Sequence, residues 1–350
     1  MYADDIVLFS TSKKGMEHCL EQLNDYCKKW KLEINDTKTK MMICTTSRNL
    51  IQEEFWMNEH LLENVKEFKY LGIVVCCNGS YKLATKYLAD KGRKALFKLY
   101  KSFGKYTPNI KIASHCFDSM IKPILLYGSE IWGSTMVYSK LFSKEPNKTK
   151  LYFQPNFEKI HLQWCKHMLG TNRRSSNIGV IAELGRYPLI IEVLMNTLKY
   201  WIRLRNVDQD TLIYDSYNES KHLYEIKDNC WLRNIKEILN KVDICNDIHM
   251  CDPDDVQMTQ KDFVSHCESK LRDIFNTQIE FDLFHDKSDG EGNKLRTYRL
   301  FKTAVREEKY LKIITNRNIR QNICKLRISS HNLPIEKGRY RHLQKIPAKL

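Results

Sequence analysis

Two adjacent carboxylates, Asp4 and Asp5, stand directly before the β-forming run Ile6-Val7-Leu8-Phe9 and directly after Tyr2-Ala3. Neighbouring acids repel one another and resist joint burial, so a fold rarely places them where an apolar strand begins. A turn that aims carboxylate oxygen at a divalent cation does want them, because Mg²⁺ prefers hard oxygen ligands. A solvated Asp-Asp in an ordinary turn accommodates the same residues. Only the chain downstream separates the two readings.

After Ser12 the pattern changes period. Met16, Leu20, Leu23, Tyr26, Cys27 and Trp30 recur at helical spacing, which predicts an amphipathic helix to about Lys31. Leu32, Ile34 and then Met41–Thr46 return to strand, around a turn at Asn35-Asp36. Phe55–Leu62 reads as a hairpin about Asn58-Glu59, and Phe68–Val75 as a further strand. Strand, helix, strand and hairpin in succession indicate an α+β unit over 1–78. Beyond Gly79 the pattern is helical. Leu83, Tyr87, Leu88, Ala95, Leu96, Leu99 and Phe103 form one stripe, and a second helix from about Asn109 towards Trp132 must kink or break at Pro123. Lys144–Pro155 is a polar linker and Asp286–Asn293 a loop. Further helices are expected at Phe157–Leu169, Leu189–Arg205, Trp231–Val242, Thr259–Phe275, Leu295–Ile314 and Asn318–Leu326.

The formal charge is +15, and residues 293–350 alone carry 16 Lys or Arg against three acids. A cationic concentration interleaved with Tyr298, Phe301, Tyr310 and Tyr340 suits phosphate neutralisation, so nucleic acid is the expected partner. Charge of this kind says nothing about base sequence or chemistry. No apolar run approaches the roughly 18 residues of a membrane span, and no signal-peptide pattern opens the chain. No membrane partner is expected, and the location expected is intracellular, nucleus or cytoplasm. The 12 cysteines are dispersed without a CxxC pair and read as reduced thiols. Cys245, His249, Cys251, His266 and Cys267 lie close in sequence, but their spacing fits no common knuckle, so no zinc is expected.

Two further boxes follow the acidic pair in order: Leu32-Glu33-Ile34-Asn35-Asp36-Thr37-Lys38-Thr39-Lys40 and Phe68-Lys69-Tyr70-Leu71-Gly72. Together with Tyr2-Ala3-Asp4-Asp5 they resemble the YADD turn, the lysine-bearing motif and the primer grip of reverse transcriptases. The segments Lys122-Pro123-Ile124-Leu125-Leu126-Tyr127-Gly128-Ser129-Glu130-Ile131-Trp132, Lys166-His167-Met168-Leu169-Gly170 and Glu183-Leu184-Gly185-Arg186-Tyr187-Pro188-Leu189 are similar to stretches of the non-LTR (LINE-type) retrotransposon enzymes. So are Leu295-Arg296-Thr297-Tyr298-Arg299 and the stretch from Leu326-Arg327 to Tyr340.

The resemblance implies RNA-directed DNA synthesis by two-metal catalysis on an RNA template, a DNA primer and dNTPs. It assigns Asp4 and Asp5 as ligands of two Mg²⁺ ions, Lys38 as the catalytic lysine near the triphosphate, and Tyr70, Leu71 and Gly72 as the primer grip. A lysine beside phosphates stabilises charge and can act as a general acid. The implied organisation is a partial palm at 1–78, a helical thumb at 79–140, a helical linker region at 156–285 and a basic helical segment at 293–350. Phosphate contacts are expected from Lys91, Arg93, Lys94 and Lys98 and from Arg296, Arg299, Arg320, Arg327, Arg339 and Arg341. The chain reads as a C-terminal fragment starting at the YADD motif, without fingers and without the family's first metal-binding Asp. It is therefore expected to be inactive alone. A non-catalytic nucleic-acid-binding remnant is the alternative, and an inert product shares that alternative's sequence.

Overall fold

A computed structural model describes residues 5–35, 37–45, 53–104, 108–136, 155–226, 230–242, 259–284, 295 and 298–331. The expected linker Lys144–Pro155 apart from Pro155, the loop at 286–293 and Cys245, His249 and Cys251 lie outside them. The chain forms two compact units, Met1–Tyr87 and Leu88–Leu350.

In the first unit Ser12 opens α1 (Lys13–Trp30), its side-chain oxygen accepting the Gly15 N–H. Lys31 closes the helix at φ 54, its N–H reaching the carbonyls of Cys27 and Lys28. The apolar stripe of α1 delivers Met16, Leu20 and Leu23 to a core completed by Met41, Phe55, Met57 and Leu62, with Leu8, Ile34 and Ile43 packed against it. The strands are short. β1 (Lys40–Met41) pairs in parallel with β4 (Glu63–Asn64), and β2 (Trp56–Met57) pairs antiparallel with β3 (His60–Leu61). β5 (Glu67–Tyr70) and β6 (Ile73–Cys76) form an antiparallel hairpin in the register Tyr70↔Ile73.

Three expectations change here. Phe68–Val75 is a hairpin rather than one strand, because Leu71 and Gly72 both take positive φ (46 and 87) and reverse the chain. Positive φ at both central positions is the turn whose twist matches a two-residue hairpin. Ile6–Phe9 forms no strand: Asp5 makes an isolated bridge, Ile6, Val7 and Phe9 are exposed, and Leu8 alone reaches the core. β-propensity describes fit to a pleated, half-buried surface, and this run does not have one. Leu32 and Ile34 are likewise irregular, Ile34 being drawn into the core without a strand neighbour.

The second unit takes in most of α2 (Lys82–Phe103) and continues in helices. The break expected at Pro123 falls just before it. After α3 (Ile110–Cys116) the helix widens to π geometry over Phe117–Ile121, and the Lys122 N–H reaches the Phe117 carbonyl. A proline ring clashes with the carbonyl four residues back, and a one-residue slip relieves this. Pro123 then starts α4 (Lys122–Leu125), followed by α5 (Ser129–Trp132). Next come α6 (Asn156–Leu169), α7 (Asn177–Leu184) and α8 (Leu189–Arg205). α8 is buried nearly all round and packs against α5 and α6. It also packs against α9 (Leu212–Glu225), α10 (Trp231–Lys241) and α11 (Gln260–Phe284). α12 (Tyr298–Phe301), α13 (Lys309–Ile313) and α14 (Arg317–Arg327) complete the described chain. Helices α7 and α9 were not foreseen. Every residue of α7 from Gly179 to Leu184 is buried, so the sequence shows no amphipathic period, whereas α9 buries only Tyr217 and its one clear signal is the Thr211 cap.

Buried polar side chains tie the last helices to α7. Glu183 is fully buried and accepts from the Tyr298 and Tyr310 hydroxyls at 2.8 and 2.7 Å and from Arg327 Nε at 2.7 Å. Arg327 also reaches Glu308 at 2.9 Å, and Lys302, equally buried, donates to Glu308 at 2.6 Å. Gly185, at φ +61, lets residues 306–307 lie against the turn, where a Cβ would meet the Glu307 nitrogen at 2.1 Å. Beside this, Arg186 donates twice to Asp118, at 2.6 and 3.1 Å, and through Nε to His161 Nε2 at 3.0 Å. That acceptor nitrogen carries no proton, so His161 is the neutral tautomer with its proton on Nδ1 facing Glu158 at 2.8 Å.

Candidate functional site

Of the acidic pair, Asp5 lies in the first unit with an exposed side chain, and Asp4 lies outside the described residues. The second box folds around Asn35. Its side-chain oxygen accepts from the Lys38 N–H at 3.0 Å and the Thr37 hydroxyl at 2.8 Å, and its carbonyl accepts from Thr39 N–H and Oγ1. This Asx turn fixes the backbone of Lys38 and leaves its side chain in solvent. Lys40, two residues on, is held in β1 and pairs with Glu63 at 2.6 Å. The box therefore separates a free lysine from a structurally engaged one.

Tyr70, Leu71 and Gly72 form the tip of the β5–β6 hairpin. Tyr70 is half-buried, and Leu71 combines a left-handed backbone with an exposed apolar side chain. A β-sheet hairpin would normally place Asn, Asp or Gly there. Below the tip, Lys69 lies over the Tyr87 ring at 5.0 Å.

Among the described residues, no group of three or more His, Cys, Asp or Glu side chains is disposed to hold a metal ion. The donor chemistry of Asp4-Asp5 is nevertheless that of a hard-cation ligand, and Asp5 is exposed to take part. Cys267 and His266 cannot share an ion within α11, because Cys267 is buried and its neighbour faces solvent.

The expected phosphate contacts divide by burial. Lys91, Arg93, Lys94 and Lys98 are all exposed on α2, Arg93 pairing with Asp90 at 2.6 Å. In the tail, Arg299 is half-buried, Arg320 is buried, and Arg327 is engaged by Glu183 and Glu308. Arg296, Arg339 and Arg341 lie outside the described residues. The Glu183 clasp escaped the sequence reading. Its signal was present as three segments with family likeness and no assigned chemistry, those containing Glu183, Tyr298 and Arg327.

A second charged group centres on Arg186. Burial pushes the Asp118 carboxyl up, but the hydrogen bonds and charge of Arg186, with the charge of Lys122, outweigh it and leave the pKa below the usual carboxylate value. A cleft of about 340 Å³ opens beside them, walled by Lys122, Glu192 and Arg272.

The profile of the reverse transcriptase (RNA-dependent DNA polymerase) family matches residues 1–75, the stretch that contains all three boxes. Over that stretch the chain is similar to reverse transcriptases. It is 30% identical over 140 residues to an uncharacterized transposon-derived protein of Caenorhabditis elegans, covering 37% of this chain and 47% of that one. It is 27% identical over 144 residues to a Drosophila melanogaster protein named as the probable RNA-directed DNA polymerase from transposon BS, covering 38% of this chain and 16% of that one. The chain thus spans less than half the length of either relative. No solved structure matches it.

Proposed function

We propose that this chain is the palm-to-thumb part of an RNA-directed DNA polymerase of the non-LTR retrotransposon type, and that it grips a nucleic-acid strand. The observation that carries the reading is Leu71. A non-glycine residue at φ 46 with its apolar side chain exposed at a hairpin tip is poor for stability, and strain of this kind concentrates where a ligand is held. It falls within the region that matches the reverse transcriptase profile, in the box that resembles a primer grip. Asp4 and Asp5 are the ligands for Mg²⁺, which when bound supplies charge stabilisation at the reacting phosphate. Lys38, exposed on its rigid turn, is the cation that meets the triphosphate. Lys91, Arg93, Lys94 and Lys98, exposed on α2, are phosphate-contacting cations.

In this reading the 350-residue chain holds a strand and does not by itself polymerise. Binding to single-stranded RNA should weaken with salt, with a log–log slope of about −0.7 per phosphate neutralised. Nucleotide incorporation on a primed RNA template, with Mg²⁺ or Mn²⁺, is the decisive measurement. Incorporation that Asp4→Ala abolishes would show a competent polymerase and overturn the strand-holding reading. Failure to bind RNA at low salt would overturn the wider proposal.

A further inference from the structure

The C-terminal end of α6 meets the N-terminal end of α14 in the second unit. The contact is close: a Cβ added at Gly170, which ends α6, would lie 2.3 Å from the Gln321 side chain of α14. Four basic side chains gather here, the cations Lys166, Arg317 and Arg320 and the imidazole of His167, two from α6 and two from α14. None of them has a carboxylate partner among the described residues.

Two of these side chains have a structural account and two do not. Lys166 and His167 occupy the carbonyl end of α6, where the helix dipole favours positive charge. Arg317 and Arg320 occupy the first turn of α14, where the dipole disfavours it and where no acid is present. Arg317 also crowds its neighbours, lowering the basicity of both His167 and Arg320 below their ordinary values, with burial the larger cause in each case. A fold gains nothing from such crowding unless something anionic relieves it.

Orphaned donors mark the same place. Arg320 is only 4% exposed, and its guanidinium folds back past the helix start to the Ile314 carbonyl at 3.2 Å, yet its Nε has no partner. The Tyr100 ring stacks on His167 at 4.0 Å, and its buried hydroxyl has no partner either. Buried donors without a partner are costly, and two of them lie beside one cationic cluster.

We propose that Lys166, His167 and Arg317, backed by the buried charge of Arg320, bind a phosphodiester of a nucleic-acid strand. The site uses none of the residues assigned to the primer grip or to the cations of α2, although Tyr100 comes from that helix. The assignment to a strand rests on the proposed function, whereas the anion site itself rests on these contacts alone. Stacked Tyr100 and His167 rings also form the wall against which an unpaired base can lie.

The test uses the full chain, with fluorescence anisotropy on labelled single-stranded RNA across a salt series, and urea unfolding in parallel. Arg317→Glu should raise Kd roughly tenfold or more, the loss expected for a charged hydrogen bond, and should flatten the salt slope by about 0.7. It should also raise the urea midpoint, because it removes a cation from the wrong end of a helix, and a merely structural arginine would lower it. Arg317→Lys should recover most of the affinity. Unchanged Kd and slope in both Arg317→Glu and Lys166→Ala, with the unaltered chain binding RNA, would overturn the site while leaving the wider function intact. If the unaltered chain binds no RNA but inorganic pyrophosphate raises its Tm in an Arg317-dependent way, the assignment to a strand is overturned. No response to either probe overturns the site as well.

Discussion

Asp118 shows how a single ion pair can be read in both directions. Its carboxylate takes two hydrogen bonds from Arg186 and lies 3.6 Å from Lys122, and these outweigh the burial that opposes its charge. With the folded pKa below the unfolded value of about 3.9, the pair contributes stability at all higher pH. That contribution is lost as pH falls through the folded pKa. The urea unfolding free energies of the unaltered chain and of Asp118→Asn should therefore differ most near pH 7 and converge as pH drops below about 4. A gap that stayed constant down to pH 2.5 would assign the effect of the substitution to packing. Neither Arg186 nor Asp118 could be paired from the sequence. They are separated by 68 positions, and nothing in the Glu183-Leu184-Gly185-Arg186 segment names its partner.

Among elements, the β5–β6 hairpin is where local structure and proposed function conflict. Asn or Gly in place of Leu71 would relieve about 1 kcal/mol of left-handed strain. Leu71→Gly should raise amide protection of the hairpin in hydrogen exchange, while Gly72→Ala should lower it by a comparable amount. In the strand-holding reading Leu71→Gly also weakens primer binding, so protection and affinity should move in opposite directions. If they rise together, the turn is only a turn. The hairpin illustrates what the sequence conveyed and what it did not. Tyr70-Leu71-Gly72 was legible as a gripping motif by likeness, but read by propensity alone Phe68–Val75 was one strand. The positive φ at Leu71 cannot be seen in a residue type that almost never adopts it.

At the scale of the whole molecule, the basic tail is partly structural. Residues 293–350 carry most of the net charge, yet part of that charge is turned inward. Lys302 and Arg327 balance Glu308 and Glu183, and Tyr298 and Tyr310 complete the carboxylate's hydrogen bonds. Removing one side of such a buried pair typically costs about 3–5 kcal/mol. Glu183→Ala and truncation after Glu291 should each lower the urea unfolding free energy by at least that amount, and the two should not add when combined, because they break the same contacts. Additive losses would show that the tail is stabilised elsewhere. Affinity lost on truncation therefore does not by itself locate a binding surface, and charge reversal at Arg317 separates binding from folding.

The sequence by itself determined the family likeness, the α+β start followed by helices, and the identity of Asp4, Asp5, Lys38 and the hairpin tip as the residues to watch. These are local properties, carried by short motifs and by the period of apolar residues. It also gave the correct places for α1, α2, α6, α8 and α10, whose amphipathic faces are legible without neighbours. Only the tertiary structure decided which cations face solvent and which face Glu183, that α7 is a helix, and that the ends of α6 and α14 bring Lys166, His167 and Arg317 together. Each of those depends on contacts between positions more than a hundred residues apart. Such pairing leaves no periodic trace, because a buried carboxylate and the arginine it holds are chosen by packing and not by their neighbours in the chain.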